Sequence, residues 1–133
     1  MKEYLVTAQE MKRYDANTIG EFGMPGLVLM ERAALCTVEE LQRACGSVPC
    51  RVLVAAGCGN NGGDGLAVGR LLLLAGYEVT FVMPGEGGRC TEETGRQITV
   101  LERYGAHIFS TMQDGEYDIV VDALFGVGLS RDV

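Results

Sequence analysis

Apolar and polar positions recur along the chain at two different periods, and each change of period marks a new element. Thr7-Ala8-Gln9-Glu10 has the form of a capping box, and Met11, Tyr14 and Thr18 to Ile19 follow at helical spacing as far as Gly20, which predicts a first helix. Pro25 suits the start of a long second helix, in which Leu27, Met30, Ala34, Val38, Leu41 and Cys45 mark one face until Gly46 ends it. Arg51 to Ala56 (RVLVAA) is a short apolar run, the pattern of a strand buried on both faces. A glycine-rich stretch over 57–65 then reads as a loop, and Gly65 to Ala75 as a helix apolar almost all round. Glu78 to Met83 predicts the next strand. Thr91 caps a helix whose Glu92 and Glu93 suit the positive end of its dipole, whose Ile98, Leu101 and Tyr104 face the core, and which Gly105 stops. His107 to Ser110 and Asp118 to Leu124 complete the strands, with His107 read as a polar residue at a strand start.

Strands and helices thus alternate, which implies right-handed crossovers and a mainly parallel sheet in an α/β sandwich. In such sheets ligands bind beyond the carboxyl ends of the strands. Two glycine loops, at 57–65 and 126–128, leave from those ends and direct attention to them.

Composition narrows the ligand. The chain has 133 residues and a net charge of −7, with 11 basic against 18 acidic side chains, so nothing is available to neutralise a nucleic-acid backbone. The longest uncharged apolar stretch of helical character, Leu71 to Tyr77, falls far short of the roughly twenty residues that span a bilayer, and no signal peptide is read at the start. Neither nucleic acid nor membrane is expected as a partner. The five cysteines include no C-x-x-C pair and read as small hydrophobes in a reduced, cytoplasmic protein.

Gly57-Cys58-Gly59-Asn60-Asn61-Gly62 satisfies G-x-G-x-x-G between a strand and a helix. An ordinary dinucleotide fingerprint also wants an acidic residue ending the following strand, but that strand ends Val82-Met83-Pro84. A phosphate-binding G-K-[ST] is excluded because no lysine follows Lys12. What remains is Asn60, Asn61, Gly62, Gly63, Asp64 and Gly65: amide and carboxylate groups on a backbone with little side-chain bulk, read as a binding loop rather than a turn capped by Asp64. Asp122, the last polar residue of a buried strand, asks for a cation or hydrogen bonds to offset its burial. A cap on the following loop and an acid-base role account for it equally well.

Gly59-Asn60-Asn61-Gly62-Gly63-Asp64-Gly65 resembles the signature of the YjeF N-terminal domain family, the NAD(P)HX epimerases. Met11 to Asp15 and Leu29-Met30-Glu31-Arg32-Ala33 resemble its two leading helices, and Val121-Asp122-Ala123-Leu124-Phe125-Gly126-Val127-Gly128-Leu129 its second motif, so the likeness covers essentially the whole chain. The resemblance implies a three-layer α/β/α Rossmann-like sandwich and interconversion of the R and S epimers of NADHX and NADPHX in nicotinamide nucleotide repair, upstream of a separate or fused dehydratase. It further implies substrate contacts from Asn60, Asn61, Gly62, Gly63 and Asp64, and a potassium ion held with the help of Asn61 and Asp122. A phosphate-surrounding loop is implied for Gly126, Val127, Gly128, Leu129, Ser130, Arg131 and Asp132, and Asp122 becomes the leading acid-base residue.

Family domains continue through further strands and an Asp followed by a Pro-Ser-Gly-like segment, so residues 1–133 are expected to be one such domain, incomplete at its C-terminal end. An exposed sheet edge then predicts at least a homodimer. Two other functions stay in view. A non-catalytic binding or dimerisation module on the same fold is disfavoured by the presence of Asn61 and Asp122, and an ordinary nicotinamide dehydrogenase by the missing acidic residue.

Overall fold

The computed structural model describes residues 4–7, 25–46, 48–85 and 89–124. In chain order these form β1 (Tyr4–Thr7), α1 (Gly26–Cys45), β2 (Arg51–Ala56), α2 (Asn60–Leu74), β3 (Glu78–Val82), α3 (Glu92–Arg103), β4 (Ile108–Phe109) and β5 (Ile119–Ala123). Among the described residues the strands make one sheet in the order β1-β5-β2-β3-β4, and every pairing is parallel. The α/β class and the parallel sheet are therefore as expected. The bounds of β2 coincide with the predicted ones, and its Val52, Val54 and Ala56 are wholly inaccessible, as a central strand requires.

Helix α2 lies on the sheet so closely that glycine is needed at the contacts. A Cβ on Gly65 would come within 2.5 Å of the Ala123 side chain, and one on Gly69 within 2.5 Å of Phe81 and 2.8 Å of Val54. Leu66, Ala67, Val68 and Leu72 are fully buried on several sides of the helix, which is apolar almost all round in its middle, as expected. Helix α1 presents Met30, Ala34, Val38 and Leu41 to the shared core, and α3 contributes Leu101. Arg70 of α2 joins the three helices polarly, pairing with Glu31 of α1 and donating to Gln97 of α3 at 3.3 Å.

The local stop signals hold. Gly46 and Gly105 adopt φ of +84° beyond the ends of α1 and α3, a region costly for a side chain. Thr91 caps α3 by accepting from the Thr94 N–H at 3.3 Å, and Glu92 and Glu93 occupy its first turn. Thr91→Ala should lower unfolding free energy by about 1 kcal/mol, the usual worth of such a cap, as read from urea midpoints.

Three expectations change. No strand is predicted at the chain start, yet Tyr4 to Thr7 form β1, which pairs with β5 from Tyr4↔Ile119 to Thr7↔Asp122. Four residues are too few to show a period, and the partner strand supplies the reason for the strand. The predicted first helix lies otherwise outside the described residues. Leu27 and Tyr104, assigned to buried faces, are exposed at 37% and 54%, and Thr94 and Gln97 are buried in α3 instead. Most consequential, Asn60 to Gly65 is not a loop: α2 begins at Asn60.

Candidate functional site

The sheet order reverses beside β2. From β2 the chain moves outward through β3 to β4, then returns so that β5 pairs with the other side of β2. A reversal of this kind opens a crevice at the carboxyl ends of the two strands, where ligands of open α/β sheets bind. Here that switch point lies between the turn after β2 and the end of β5, and the two segments are in contact. Gly57 N–H donates to the Ala123 carbonyl at 2.9 Å, and a Cβ on Gly57 would stand 2.6 Å from the Leu124 oxygen.

The turn feeds directly into α2. Gly59 is its N-cap in extended conformation and offers no side-chain acceptor, while Gly62 and Gly63 N–H donate to the Gly59 carbonyl at 3.0 and 3.3 Å. Helices need a partner for their first N–H groups, and a cap without a side chain leaves those of Asn60 and Asn61 directed outward, at the positive end of the dipole. Such an end suits an anion. The glycines make the turn possible by closeness rather than by unusual backbone angles. A Cβ on Gly62 would sit on the Gly57 carbonyl oxygen, and one on Gly63 would lie 2.6 Å from Thr94 Oγ1 and 2.8 Å from Met30 Cε.

Asn60 is exposed at the helix start. Asn61 is 7% exposed, and its Oδ1 accepts no hydrogen bond among the described residues. A buried amide oxygen in that condition is an acceptor held ready for something else, since leaving one unmade is costly. Asp64 is 2% exposed and stands one turn inside α2, so it does not cap the helix. Asp122 lies half-buried at the carboxyl end of β5, paired in register with Ala55 on one side and Thr7 on the other, and its Oδ1 accepts from Leu124 N–H at 3.3 Å. Gly126, Val127, Gly128, Leu129, Ser130, Arg131 and Asp132 lie outside the described residues.

Two contributors carry no signal in the sequence. Thr94, fully buried in α3, donates its hydroxyl to the Gly59 carbonyl at 2.7 Å and accepts the Thr91 hydroxyl at 3.0 Å, fixing the N-cap of α2. Nothing in the local pattern separates it from the other threonines of the chain. Cys58 and Cys90 are joined in a disulfide with Cα atoms 4.3 Å apart, whereas Cys36, Cys45 and Cys50 are free and half-buried. The bond corrects the reading of the cysteines as isolated small hydrophobes. Two residues 32 apart in sequence meet only because the turns after β2 and β3 share one sheet edge. Burial, aided by the nearby Asp118 charge and Cys45, raises the Cys50 thiol above its ordinary value.

Another hollow, of about 650 Å³, opens between α1 and α3 over Arg70. Arg70 is ten residues along α2 from Asn60, about 15 Å at helical rise, so this hollow is remote from the carboxyl edge.

The family described as YjeF-related protein N-terminus matches residues 26–133. The chain belongs to that family. Among curated relatives it is 45% identical over 129 residues to the NAD(P)H-hydrate epimerase of Weissella koreensis, covering 96% of this chain and 58% of the relative. It is 40% identical over 134 aligned positions to the NAD(P)H-hydrate epimerase of Oenococcus oeni, covering 100% of this chain and 64% of the relative. The chain therefore spans about three fifths of the length of these family members. The crystal structure of yeast ynu0 superposes with a TM-score of 0.68 at 24% identity, over 97% of this chain and 59% of that one, which supports the fold.

Proposed function

We propose that the chain supplies the substrate-binding part of an NAD(P)H-hydrate epimerase, an isomerase that interconverts the R and S forms of NADHX and NADPHX during nicotinamide nucleotide repair. The observation that carries this reading is that the turn leading into α2, whose first residues are Asn60 to Asp64, meets the end of β5, which carries Asp122, in a family member whose curated relatives bear that name. The outward N–H groups at the start of α2 suit the pyrophosphate of a dinucleotide. Gly126 to Asp132, continuing from β5, would surround the same phosphates.

Asn61 and Asp122 fit a hard monovalent cation such as potassium, because both offer oxygen and the Asn61 Oδ1 is buried without another partner among the described residues. Bound there, the ion would supply positive charge that orders the oxygens of the site. The reacting carbon carries a hydroxyl beside the ring nitrogen. Asp122 gives a proton to that hydroxyl, water leaves to yield an iminium-like ring, and water added on the other face returns a proton to Asp122. One carboxyl group that gives and then takes a proton satisfies both halves.

No helix among the described residues is long and apolar enough to cross a membrane. A cytoplasmic location, a homodimer formed through an open sheet edge and a dehydratase that consumes the S epimer complete the proposal. The test is chromatography of an epimer mixture incubated with this chain and with a chain of the relatives' full length. The longer chain should bring the epimers to equilibrium faster than buffer does, and no acceleration by it would overturn the reading.

A further inference from the structure

The turn that delivers Asn60 and Asn61 is tied to the loop after β3 by a bond that neither the fold nor the proposed chemistry requires. Cys58 stands in that turn between Gly57 and Gly59, the two residues with the most backbone freedom to lose, and Cys90 immediately precedes the cap of α3. Both residues are half-buried rather than sealed in the core. Non-covalent ties cross the same gap: Thr91 N–H donates to the Cys58 carbonyl at 3.0 Å, and the Thr94 hydroxyl to the Gly59 carbonyl at 2.7 Å. They suffice to keep the two segments together when the covalent link is gone, but they hold the turn by its backbone carbonyls and leave it more freedom than the bond does.

We propose that Cys58 and Cys90 form a reversible dithiol–disulfide couple that sets how firmly the start of α2 is held for its ligand. The oxidised protein binds a dinucleotide tightly and the reduced protein binds it more weakly. The identity of that ligand rests on the epimerase reading; the couple itself does not. In a reducing compartment a disulfide between two surface turns is of the redox-responsive kind rather than a permanent staple. An external dithiol reduces it in two steps. One thiolate attacks a sulfur of the bond and forms a mixed disulfide, and the displaced cysteine takes up a proton. The reagent's second thiol then closes on its first, so two electrons pass to the protein, Cys58 and Cys90 both end as thiols, and the reagent departs as a disulfide.

The experiment compares the oxidised protein, the same protein treated with dithiothreitol, and a Cys90→Ser variant. Thiols are counted by alkylation and mass spectrometry, amide hydrogen exchange is followed along α2, and binding of mixed NADPHX epimers is measured by calorimetry. Cys36, Cys45 and Cys50 alone should be alkylated before reduction, and Cys58 and Cys90 also after it. Reduction should speed exchange at residues 57–62 and weaken binding by roughly tenfold each, about what ordering one or two groups costs, while the amides of Leu66 to Leu72 stay protected. Cys90→Ser should match the reduced protein with or without dithiol. Alkylation of all five cysteines without reductant, unchanged exchange at 57–62, or tighter binding after reduction would overturn the proposal. The exchange arm needs no ligand: absent nucleotide binding in both states, with exchange still redox-dependent, defeats the epimerase reading and leaves the couple standing.

Discussion

Gly62→Ala is expected to destabilise the protein by about 3 kcal/mol, the upper end of what overpacking costs, because the added methyl lands on a backbone atom and not on a side chain that can turn aside. The methyl would sit on the Gly57 carbonyl oxygen, and Gly57 is itself held by its bond to Ala123 and by the closeness of Leu124. Relief therefore requires the turn after β2 to move away from β5, which opens the crevice and disperses the N–H groups of Asn60 and Asn61. Urea unfolding reads the stability, and nucleotide titration the loss of binding. Gly95→Ala in α3 is the control, since a Cβ there meets nothing within 4 Å. That change should stabilise the protein by about 0.5–1 kcal/mol, the ordinary gain of alanine over glycine inside a helix. A Gly62→Ala protein as stable as its parent would mean that 57–62 does not pack as described.

Asp122→Asn, made in a chain of the relatives' full length, should lower turnover at least about a hundredfold, the scale for losing a general acid-base residue, equivalent to about 2.7 kcal/mol in the barrier. The substitution is chosen because an asparagine oxygen can still accept from Leu124 N–H, so the end of β5 keeps its hydrogen bond and the fold is not the variable. Potassium titration separates the two roles of this carboxylate. If Asp122 transfers the proton, activity falls at every potassium concentration; if it chiefly holds the ion, excess potassium restores part of the rate. Full activity with an unchanged potassium response would make Asp122 structural and remove it from the site.

Features governed by neighbours in sequence are legible in the chain itself. The run RVLVAA is a buried strand because every residue from Val52 to Ala56 must be apolar when helices or strands cover both faces. Thr91 announces α3 and Gly46 and Gly105 close their helices, because caps and positive φ depend on a few adjacent atoms. The motif at 59–65 likewise marks the family, which the match over residues 26–133 bears out. Its conformation departs from the expected loop for a physical reason: Asn60, Asn61, Gly62, Gly63 and Gly65 are poor helix formers, and local propensity disfavours a helix there. Tertiary packing overrides it, since only glycine lets α2 start against the Gly57 carbonyl, Thr94 and Ala123.

What the amino-acid sequence determined by itself, then, was the succession of strands and helices, their caps and the residue types available for chemistry at the strands' carboxyl ends. Tertiary structure alone decided which of those ends are neighbours. The return of β5 to the free side of β2 sets the Asn60 turn against the end of the strand that carries Asp122, and the shared edge of β2 and β3 brings Cys58 to Cys90 across 32 residues. Pairing order depends on hydrogen bonds and packing between segments far apart in the chain, and no period or cap in either segment records its partner.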